Sequence, residues 1–231
     1  MTSSPLLAPL GDELLDHPDA DPLTVRTSLR HIARSNRWFG GWWAVRHGLL
    51  RLLAGVPDGT TLTLLDVGTG TADLPRSAVA WARARGITLV PLGVERHRTA
   101  AQLAQAGGVT TMLACAGALP VRPGSVDLVI ASQLVHHLAP KAIVEFLRAA
   151  NRLARLGVII ADLRRSPLAL AGFWVGSRLF RFDKATRADG LTSVRRGFLP
   201  AELESRLLEA GIAARVERTP GFRVVATWRV R

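Results

Sequence analysis

The stretch LLDVGTGTAD, from Leu64 to Asp73, decides the fold of this chain. It predicts a buried strand, a glycine turn and a helix, because an apolar run is followed at once by closely spaced glycines. Gly68 and Gly70 have no side chains, so a ligand can approach the backbone closely, and the first amides of the following helix have no partners within it. The stretch therefore predicts a ligand site where the first strand ends.

The acidic residues of this turn favour a cationic ligand over a phosphate. A dinucleotide-binding turn would have a third glycine where this chain has Asp73, and Pro75 follows soon after. The carboxylates of Asp66 and Asp73 suit a positively charged amino-acid ligand better than a pyrophosphate. A tight turn without any ligand is the plain structural alternative.

Downstream of the turn, short apolar runs alternate with helical segments. The runs are TLTLLDV, VPLGVE, VTTMLAC, VDLVIAS and LGVIIAD, which begin at residues 61, 90, 109, 126 and 156. Strands that are apolar on both faces and alternate with helices indicate a parallel sheet covered on both sides. The last two runs, AARVERT and FRVVATWRV, are separated by Pro220 and Gly221 and predict an antiparallel hairpin. The sequence thus predicts an α/β fold with a doubly wound, mostly parallel sheet.

The flanking segments divide the chain into regions. Residues 1–22 contain four prolines among acidic and small residues and are expected to form a flexible arm. Residues 23–57 carry apolar residues at steps of three and four and predict an N-terminal helical cap, broken in two by a pair of glycines. Residues 58–231 form the main domain, in which residues 163–198 are expected to be an irregular, aromatic-rich insertion on the substrate side.

Composition and charge restrict the classes of function. With 231 residues, of which 48% are apolar, the chain can bury a full core. It lacks an apolar run of the roughly 18 to 20 residues that span a bilayer, and it lacks a secretory signal, so we expect a cytoplasmic protein. The single cysteine, Cys115, can form neither an internal disulfide nor a cysteine-based zinc site, and no metal ligands are predicted.

The net charge of +12 raises the question of a polyanionic partner. The arginines are dispersed over nearly every segment, which argues against a nucleic-acid interface. A peripheral contact of the arginine-rich helices with a membrane stays open.

Glu95 is a second candidate for ligand binding. It closes the run VPLGVE, one strand after the glycine turn. In doubly wound folds an acid at this place accepts hydrogen bonds from both ribose hydroxyls. Taken alone, Glu95 could equally be a helix-capping residue, but its order after the turn favours adenosine.

The motifs LLDVGTGTAD, GVE and ALPVRPGSVDLVIASQLVHHL, in this order and spacing, resemble those of class I S-adenosylmethionine-dependent methyltransferases. The resemblance covers residues 61–162 and is greatest to the subset that includes the ubiquinone and menaquinone methyltransferases. It implies a Rossmann-like sheet of seven strands with the seventh antiparallel, and S-adenosylmethionine as cofactor. Over a wider span, ELLDHPDADP, LRHIARSNRWFGG and ADLRRSPLALAGFW resemble bacterial methyltransferases encoded beside type III polyketide synthases. This implies an aromatic or quinone-like polyketide as acceptor.

The same resemblance implies a set of cofactor-binding residues, in which the glycine turn holds the methionine end, Glu95 the ribose and the loop around residue 116 the adenine. The set is Asp66, Gly68, Thr69, Gly70, Asp73, Glu95, Arg96, Cys115, Ala116, Gly117, Ser132 and Gln133. The family usually has an aspartate at Cys115, which accepts a hydrogen bond from the adenine amino group. A thiol is a weak acceptor, so we expect Cys115 to pack in the core instead.

Two histidines are candidates for the catalytic base. Methyl transfer to a phenol requires alignment of the acceptor and loss of its proton. His136 and His137 lie just after the fourth strand, next to the predicted cofactor cleft. Neighbouring residues point in different directions, so we expect one of them to face the acceptor and favour His137. Both could instead be structural, with catalysis by positioning alone.

Aromatic residues of the cap and the insertion are expected to form the acceptor pocket, although helix packing would produce the same pattern. They are Trp38, Phe39, Trp42, Trp43, Phe173, Trp174, Phe180 and Phe182. Asp162, Arg164 and Arg165, at the end of the fifth strand, could bind an anionic acceptor or face solvent.

These observations together predict an enzyme that methylates a small aromatic, polyketide or quinone-like acceptor, with transfer to oxygen favoured over carbon. Two alternatives are kept. A nucleic-acid methyltransferase acting on RNA would need a basic groove and a pocket for a flipped base. A non-catalytic scaffold with the same fold would not need the intact Asp66, Gly68, Gly70 and Glu95. The oligomeric state is not predicted.

Overall fold

A seven-stranded sheet organises the chain in a computed structural model that describes Glu13, His17 and residues 20–230. The strands are β1 (Thr61–Val67), β2 (Thr88–Glu95), β3 (Thr110–Leu113), β4 (Val126–Ser132), β5 (Ala154–Leu163), β6 (Val216–Thr219) and β7 (Arg223–Arg229). Their spatial order is β3-β2-β1-β4-β5-β7-β6. The pairs from β3 to β5 are parallel, whereas β7 is antiparallel to β5 and to β6. The predicted doubly wound sheet with an antiparallel last strand is confirmed.

Helices cover both faces of this sheet. They are α1 (Pro22–Trp38), α2 (Gly41–Leu52), α3 (Asp73–Arg83), α4 (Arg98–Ala106), α5 (Pro140–Leu153), α6 (Pro167–Leu179), α7 (Lys184–Arg196) and α8 (Pro200–Glu209). Successive strand residues point to opposite faces, so Leu64 packs in a core with α2 and α3, and Leu65 in a core with α5 and α8. In the part of the chain that the structure describes, no helix is both long and apolar enough to cross a membrane.

The N-terminal cap consists of α1 and α2, which are separated near the glycine pair as expected. Gly40 has φ 88°, and a Cβ there would lie 2.3 Å from the carbonyl oxygen of Pro220, so the turn requires glycine. Helix α1 begins at Pro22, which the sequence pattern assigned to the arm, because Asp21 caps the helix through the amide of Thr24 at 2.8 Å. The rest of the predicted arm lies outside the described residues, apart from Glu13, His17 and residues 20 and 21.

The segment 163–198 is helical, and the prediction of an irregular insertion is wrong. Helix α6 begins with Pro167 in its first turn, and the side chain of Ser166 accepts a hydrogen bond from the amide of Ala169 at 3.0 Å. Asp183 caps α7 in the same way through the amide of Thr186 at 2.9 Å. Helix α7 contacts α6, β5 and the 3-10 turn that follows β4, so the insertion covers one edge of the sheet.

Candidate functional site

A cavity of about 450 Å³ opens at the edge where the parallel strands end. Its walls are the loops after β1 to β5, together with residues of α1, α6 and α7. All the cofactor-binding and catalytic residues predicted from the sequence line it: Asp66, Gly68, Thr69, Gly70, Asp73, Glu95, Arg96, Cys115, Ala116, Gly117, Ser132, Gln133, His136 and His137. The parallel order of the strands brings these loops together, because their carboxyl ends meet at one edge.

The glycine turn after β1 places a buried carboxyl group beside the cavity. Gly68 and Gly70 have φ of 75° and 55°, and the hydroxyl of Thr69 donates to Oδ2 of Asp66 at 2.8 Å. Burial raises the pKa of Asp66 to about 8; the Thr69 hydrogen bond opposes this, while the charges of Asp73 and Glu95 add to it. A ligand with positive charge would stabilise the ionised form of this carboxyl group.

Glu95 joins the end of β2 to the glycine turn. Its Oε2 accepts a hydrogen bond from the amide of Gly70 at 2.9 Å, and its Oε1 accepts one from the amide of His97 at 2.9 Å. Each carboxylate oxygen has a second lone pair, so both can still accept from a diol. The two parts of the predicted adenosyl site are therefore adjacent, with the carboxylate fixed in position.

Asn36, in α1, connects the segments that follow β1 and β4. Its Nδ2 donates to Oδ2 of Asp73 at 3.0 Å, and its Oδ1 accepts from Nε2 of Gln133 at 2.6 Å. The side chain is buried, although the sequence pattern did not single it out. A signal was present, because Asn36 falls on the same helical spacing as Leu29 and Ile32, where a polar residue stands out.

The loop after β3 borders the adenine side that the resemblance implies. Ala116 and Gly117 line the cavity there, and the carbonyl of Cys115 accepts a hydrogen bond from the amide of Ala118 at 3.0 Å. The Cys115 side chain is exposed, so the expectation that it packs in the core is wrong. The reason is its position: β3 ends at Leu113, and Cys115 already lies in the loop.

His136 and Asp162 form a buried pair on the other side of the cavity. Nδ1 of His136 donates to Oδ1 of Asp162 at 2.6 Å, and the amide of Leu163 donates to the same oxygen at 2.7 Å. Burial alone would raise the pKa of Asp162, but the charge and hydrogen bond of His136 hold it below its usual value. Within the described ranges, Nε2 of His136 is buried and has no hydrogen-bond partner.

The neighbouring strands β4 and β5 explain this pair. Ser132, the last residue of β4, lies opposite Ala161 in their register, so Asp162, one residue further along β5, lies close to the segment that follows β4. The sequence pattern allowed Asp162 either to face solvent or to bind an anionic acceptor. It does neither, because its side chain is fully buried and bonded to His136. Arg165 turns away to Glu202 and to the carbonyl of Gly197, whereas Arg164 lines the cavity.

Glu13 lies buried against the same region. Its carboxylate accepts from the hydroxyl of Ser193 at 2.6 Å and from Arg196 at 3.2 Å, and it lies 3.9 Å from Nε2 of His137. Ligand atoms of Glu13, His136 and His137 lie within 4.8 Å of one another and could hold a metal ion, although the sequence predicted no metal ligands.

The aromatic wall of the cavity is smaller than the sequence predicted. Four of the eight residues line it: Trp38, Phe39, Phe173 and Phe182. The other four do not: Trp42, Trp43, Trp174 and Phe180. Trp42 packs in the α2 core, Trp43 and Trp174 point outward, and Phe180 packs on Phe39, because a helix can direct only one side to a cavity.

The fold and the cavity together define a class of protein. A doubly wound sheet with an antiparallel seventh strand, a glycine turn after β1 and an acid at the end of β2 are the features that the resemblance to class I methyltransferases implies. A buried acid with a raised pKa and a carboxylate with free lone pairs fit the sulfonium and ribose parts of S-adenosylmethionine.

The comparisons with known proteins agree with this class. Residues 65–161 match a family model described as a methyltransferase domain. No curated protein matches the chain. At 14% identity, the structure is similar to a SAM-dependent methyltransferase from Aquifex aeolicus, covering 91% of this chain and 99% of that one with a TM-score of 0.59.

Two further solved structures share the fold. One is a magnesium protoporphyrin IX methyltransferase from Synechocystis with bound SAH, at 15% identity, covering 91% of this chain and 83% of that one with a TM-score of 0.51. The other is the CMeT domain of a citrinin polyketide synthase, at 12% identity. The match covers 80% of this chain and 51% of that one, with a TM-score of 0.58. Residues 65–161 thus match a methyltransferase domain, and the solved structures show that the chain shares the fold of these methyltransferases.

We expect cofactor binding to tighten as the pH rises from 6 to 8. The carboxyl group of Asp66, whose pKa is raised to about 8, is mostly protonated at pH 6 and becomes ionised as the pH approaches 8. The ionised form attracts the positively charged methionine end, so the Kd of S-adenosylmethionine should fall by at least about tenfold over this range. Isothermal titration at several pH values measures it.

Asp66→Asn should flatten this pH dependence, because the amide does not ionise. The matched control is Asp58→Asn, which removes an exposed aspartate before β1, at the opposite edge of the sheet. A flat profile in the unmodified enzyme would contradict the role of Asp66.

Proposed function

We propose that this enzyme methylates a hydroxyl group of a small aromatic acceptor of the phenol, polyketide or quinol type. The observation that carries the proposal is the buried His136–Asp162 pair beside the aromatic half of the cavity. A histidine held by a carboxylate suits the removal of a proton from a hydroxyl, which transfer to oxygen requires and simple binding does not.

The cofactor half of the cavity would hold S-adenosylmethionine through three loops. The turn with Asp66 and Gly68 would take the methionine end, Glu95 the ribose hydroxyls, and residues 115–117 the adenine. Bound there, S-adenosylmethionine supplies a methyl group on a positively charged sulfur. The remaining tasks of the chain are to orient the acceptor, to exclude water and to accept a proton.

His136 is the proposed base. With Nδ1 donating to Asp162, the neutral imidazole would have its lone pair on Nε2, which has no hydrogen-bond partner within the described ranges. An acceptor hydroxyl would donate to Nε2 and lose its proton there as the oxygen gains the methyl group. Asp162 stabilises the imidazolium that results, because its own pKa is held low.

The aromatic wall supports a flat acceptor. Phe39, Phe173 and Phe182 line the cavity. The ring centroid of Phe173 lies 6.4 Å from that of Phe39 and 6.3 Å from that of Phe182. Offset and edge-to-face contacts with such rings favour an aromatic ligand over a flexible polar one. The fold shared with a polyketide synthase domain is compatible with this acceptor class.

The test is methyl transfer from labelled S-adenosylmethionine to a panel of phenols, resorcinols and quinols, with RNA as a further substrate. We expect methyl ethers of the aromatic compounds, identified by mass spectrometry. The matched substrate control is a phenol whose hydroxyl is already methylated, which should receive no label. Label on ring carbon or on RNA alone would contradict the proposal.

A further inference from the structure

Helix α6 presents an apolar face to solvent. Leu168, Val175 and Leu179 are 71%, 56% and 77% exposed and recur at helical spacing on one side of the helix. Trp174 is half exposed beside them, and the guanidinium of Arg178 lies 3.7 Å from the centre of its ring. Contiguous exposed apolar side chains of this kind mark a contact surface more often than scattered single ones do.

The apolar surface continues onto the end of α1. Trp38 is 57% exposed, and its ring stacks on Phe180, directly after α6, at 6.3 Å. Arg37 lies over Trp38 at 5.5 Å, and Arg34 lies over Phe180 at 5.7 Å. We call Leu168, Trp174, Val175, Leu179 and Trp38 the α6 face.

The two segments that form the α6 face carry charge of one sign. Residues 22–57 contain six arginines and no acidic residue, and residues 163–182 contain four arginines and no acidic residue. The first acid after α6 is Asp183, which is paired with His31 at 3.0 Å. Apolar side chains with Arg34, Arg37 and Arg178 at their aromatic rings match a surface that offers both a hydrocarbon layer and phosphate groups. A duplex nucleic acid offers phosphates without a hydrocarbon layer.

The opposite side of α6 belongs to the cavity. Ala169 and Phe173 line it there, so Leu168 and Leu179 lie about one helix thickness from the aromatic wall, while Trp38 borders both the cavity and the α6 face. A surface that covers the α6 face would therefore lie next to the acceptor half of the cavity.

We propose that the α6 face docks on anionic lipid bilayers, with α6 lying in the plane of the interface. Leucine, valine and tryptophan side chains enter the boundary between headgroups and acyl chains, and the arginines contact lipid phosphates. Entry of a membrane-soluble acceptor beside α6 would follow from this docking and rests on the proposed function. The docking itself does not depend on that function.

The test is co-sedimentation of the full chain with vesicles. We expect binding to phosphatidylcholine vesicles that contain about one-third phosphatidylglycerol, and at least about tenfold weaker binding to phosphatidylcholine alone. The double variant Leu168→Asp/Leu179→Asp should lose at least about tenfold in binding to the anionic vesicles, because charge enters the apolar layer. The matched control is Leu208→Asp, at a leucine of α8 that is 68% exposed.

Three results would overturn the docking proposal. They are no binding to anionic vesicles, equal losses in the α6 variant and the Leu208 control, and self-association through the α6 face in sedimentation velocity without vesicle binding. Methyl transfer to a water-soluble phenol separates the two proposals. The α6 variant should keep that activity, so a variant that loses vesicle binding alone supports docking. An unmodified enzyme that binds vesicles but does not methylate the phenol contradicts only the proposed acceptor.

Discussion

Replacing His136 with alanine should lower kcat for a phenolic acceptor by about 100- to 1,000-fold and leave the Kd of S-adenosylmethionine unchanged within about twofold. The reason is that the hydroxyl would keep its proton, while the cofactor half of the cavity stays intact. Steady-state kinetics and calorimetry on the same preparation measure the two effects. The Asp162→Asn variant should be intermediate, because the amide still contacts His136 but no longer stabilises its charged form.

His137→Ala is the matched control, since the sequence favoured His137 as the base. We expect a loss of less than about tenfold, because Asp162 holds the ring of His136, whereas Nε2 of His137 lies 3.9 Å from a carboxylate oxygen of Glu13. A large loss in His137→Ala with normal activity in His136→Ala would reverse the assignment. The unmodified enzyme is also assayed after treatment with a chelator. Activity that survives this treatment shows that His136→Ala acts through loss of a base and not through loss of a metal ion at Glu13, His136 and His137.

Replacing Glu95 with alanine should raise the Kd of S-adenosylmethionine by about 100-fold or more. Two hydrogen bonds from ribose to a carboxylate are lost, and such bonds contribute about 1.5–3 kcal/mol each. The variant also removes the partner of the Gly70 and His97 amides, which loosens the glycine turn. Isothermal titration calorimetry measures the Kd, and a thermal melt reports whether the fold is retained.

A conservative variant and a matched control accompany Glu95→Ala. Glu95→Gln keeps the length of the side chain and should lose less affinity than alanine, because one oxygen still accepts. Glu145→Ala removes an exposed glutamate of α5 that pairs with Lys141 at 4.0 Å, and it should bind normally. An unchanged Kd in Glu95→Ala would contradict the assignment of the ribose site.

The fold was predictable where local pattern and packing agree. The strands are apolar on both faces because helices cover both, and that produces the continuous runs from which the parallel sheet was predicted. Helix α6 was missed because it is apolar on nearly every side and so lacks the alternation of polar and apolar faces that identifies a surface helix. Its start was encoded in Ser166 and Pro167, a capping signal that could have been used.

The sequence identified the residues that line the proposed cofactor half of the cavity, whereas it missed much of what lines the proposed acceptor half. Asp66, Gly68 and Glu95 belong to short motifs whose positions relative to the strands follow from the chain order. The contact of His136 with Asp162 follows from neighbouring parallel strands ending at one edge, but only after the strand order is known. Glu13 and Ser193 are 180 positions apart, and no local pattern connects them.

The two halves of the cavity come from different parts of the chain. The match at residues 65–161 contains the loops that we propose hold the methyl donor, whereas α1, α6 and α7, which line the proposed acceptor side, lie outside it. Substitutions in these three helices would therefore leave the proposed donor loops unchanged. Divergence of this kind would produce enzymes that share one methyl donor and differ in what they modify, and exchange of residues 163–198 between such enzymes is the natural route to altered selectivity.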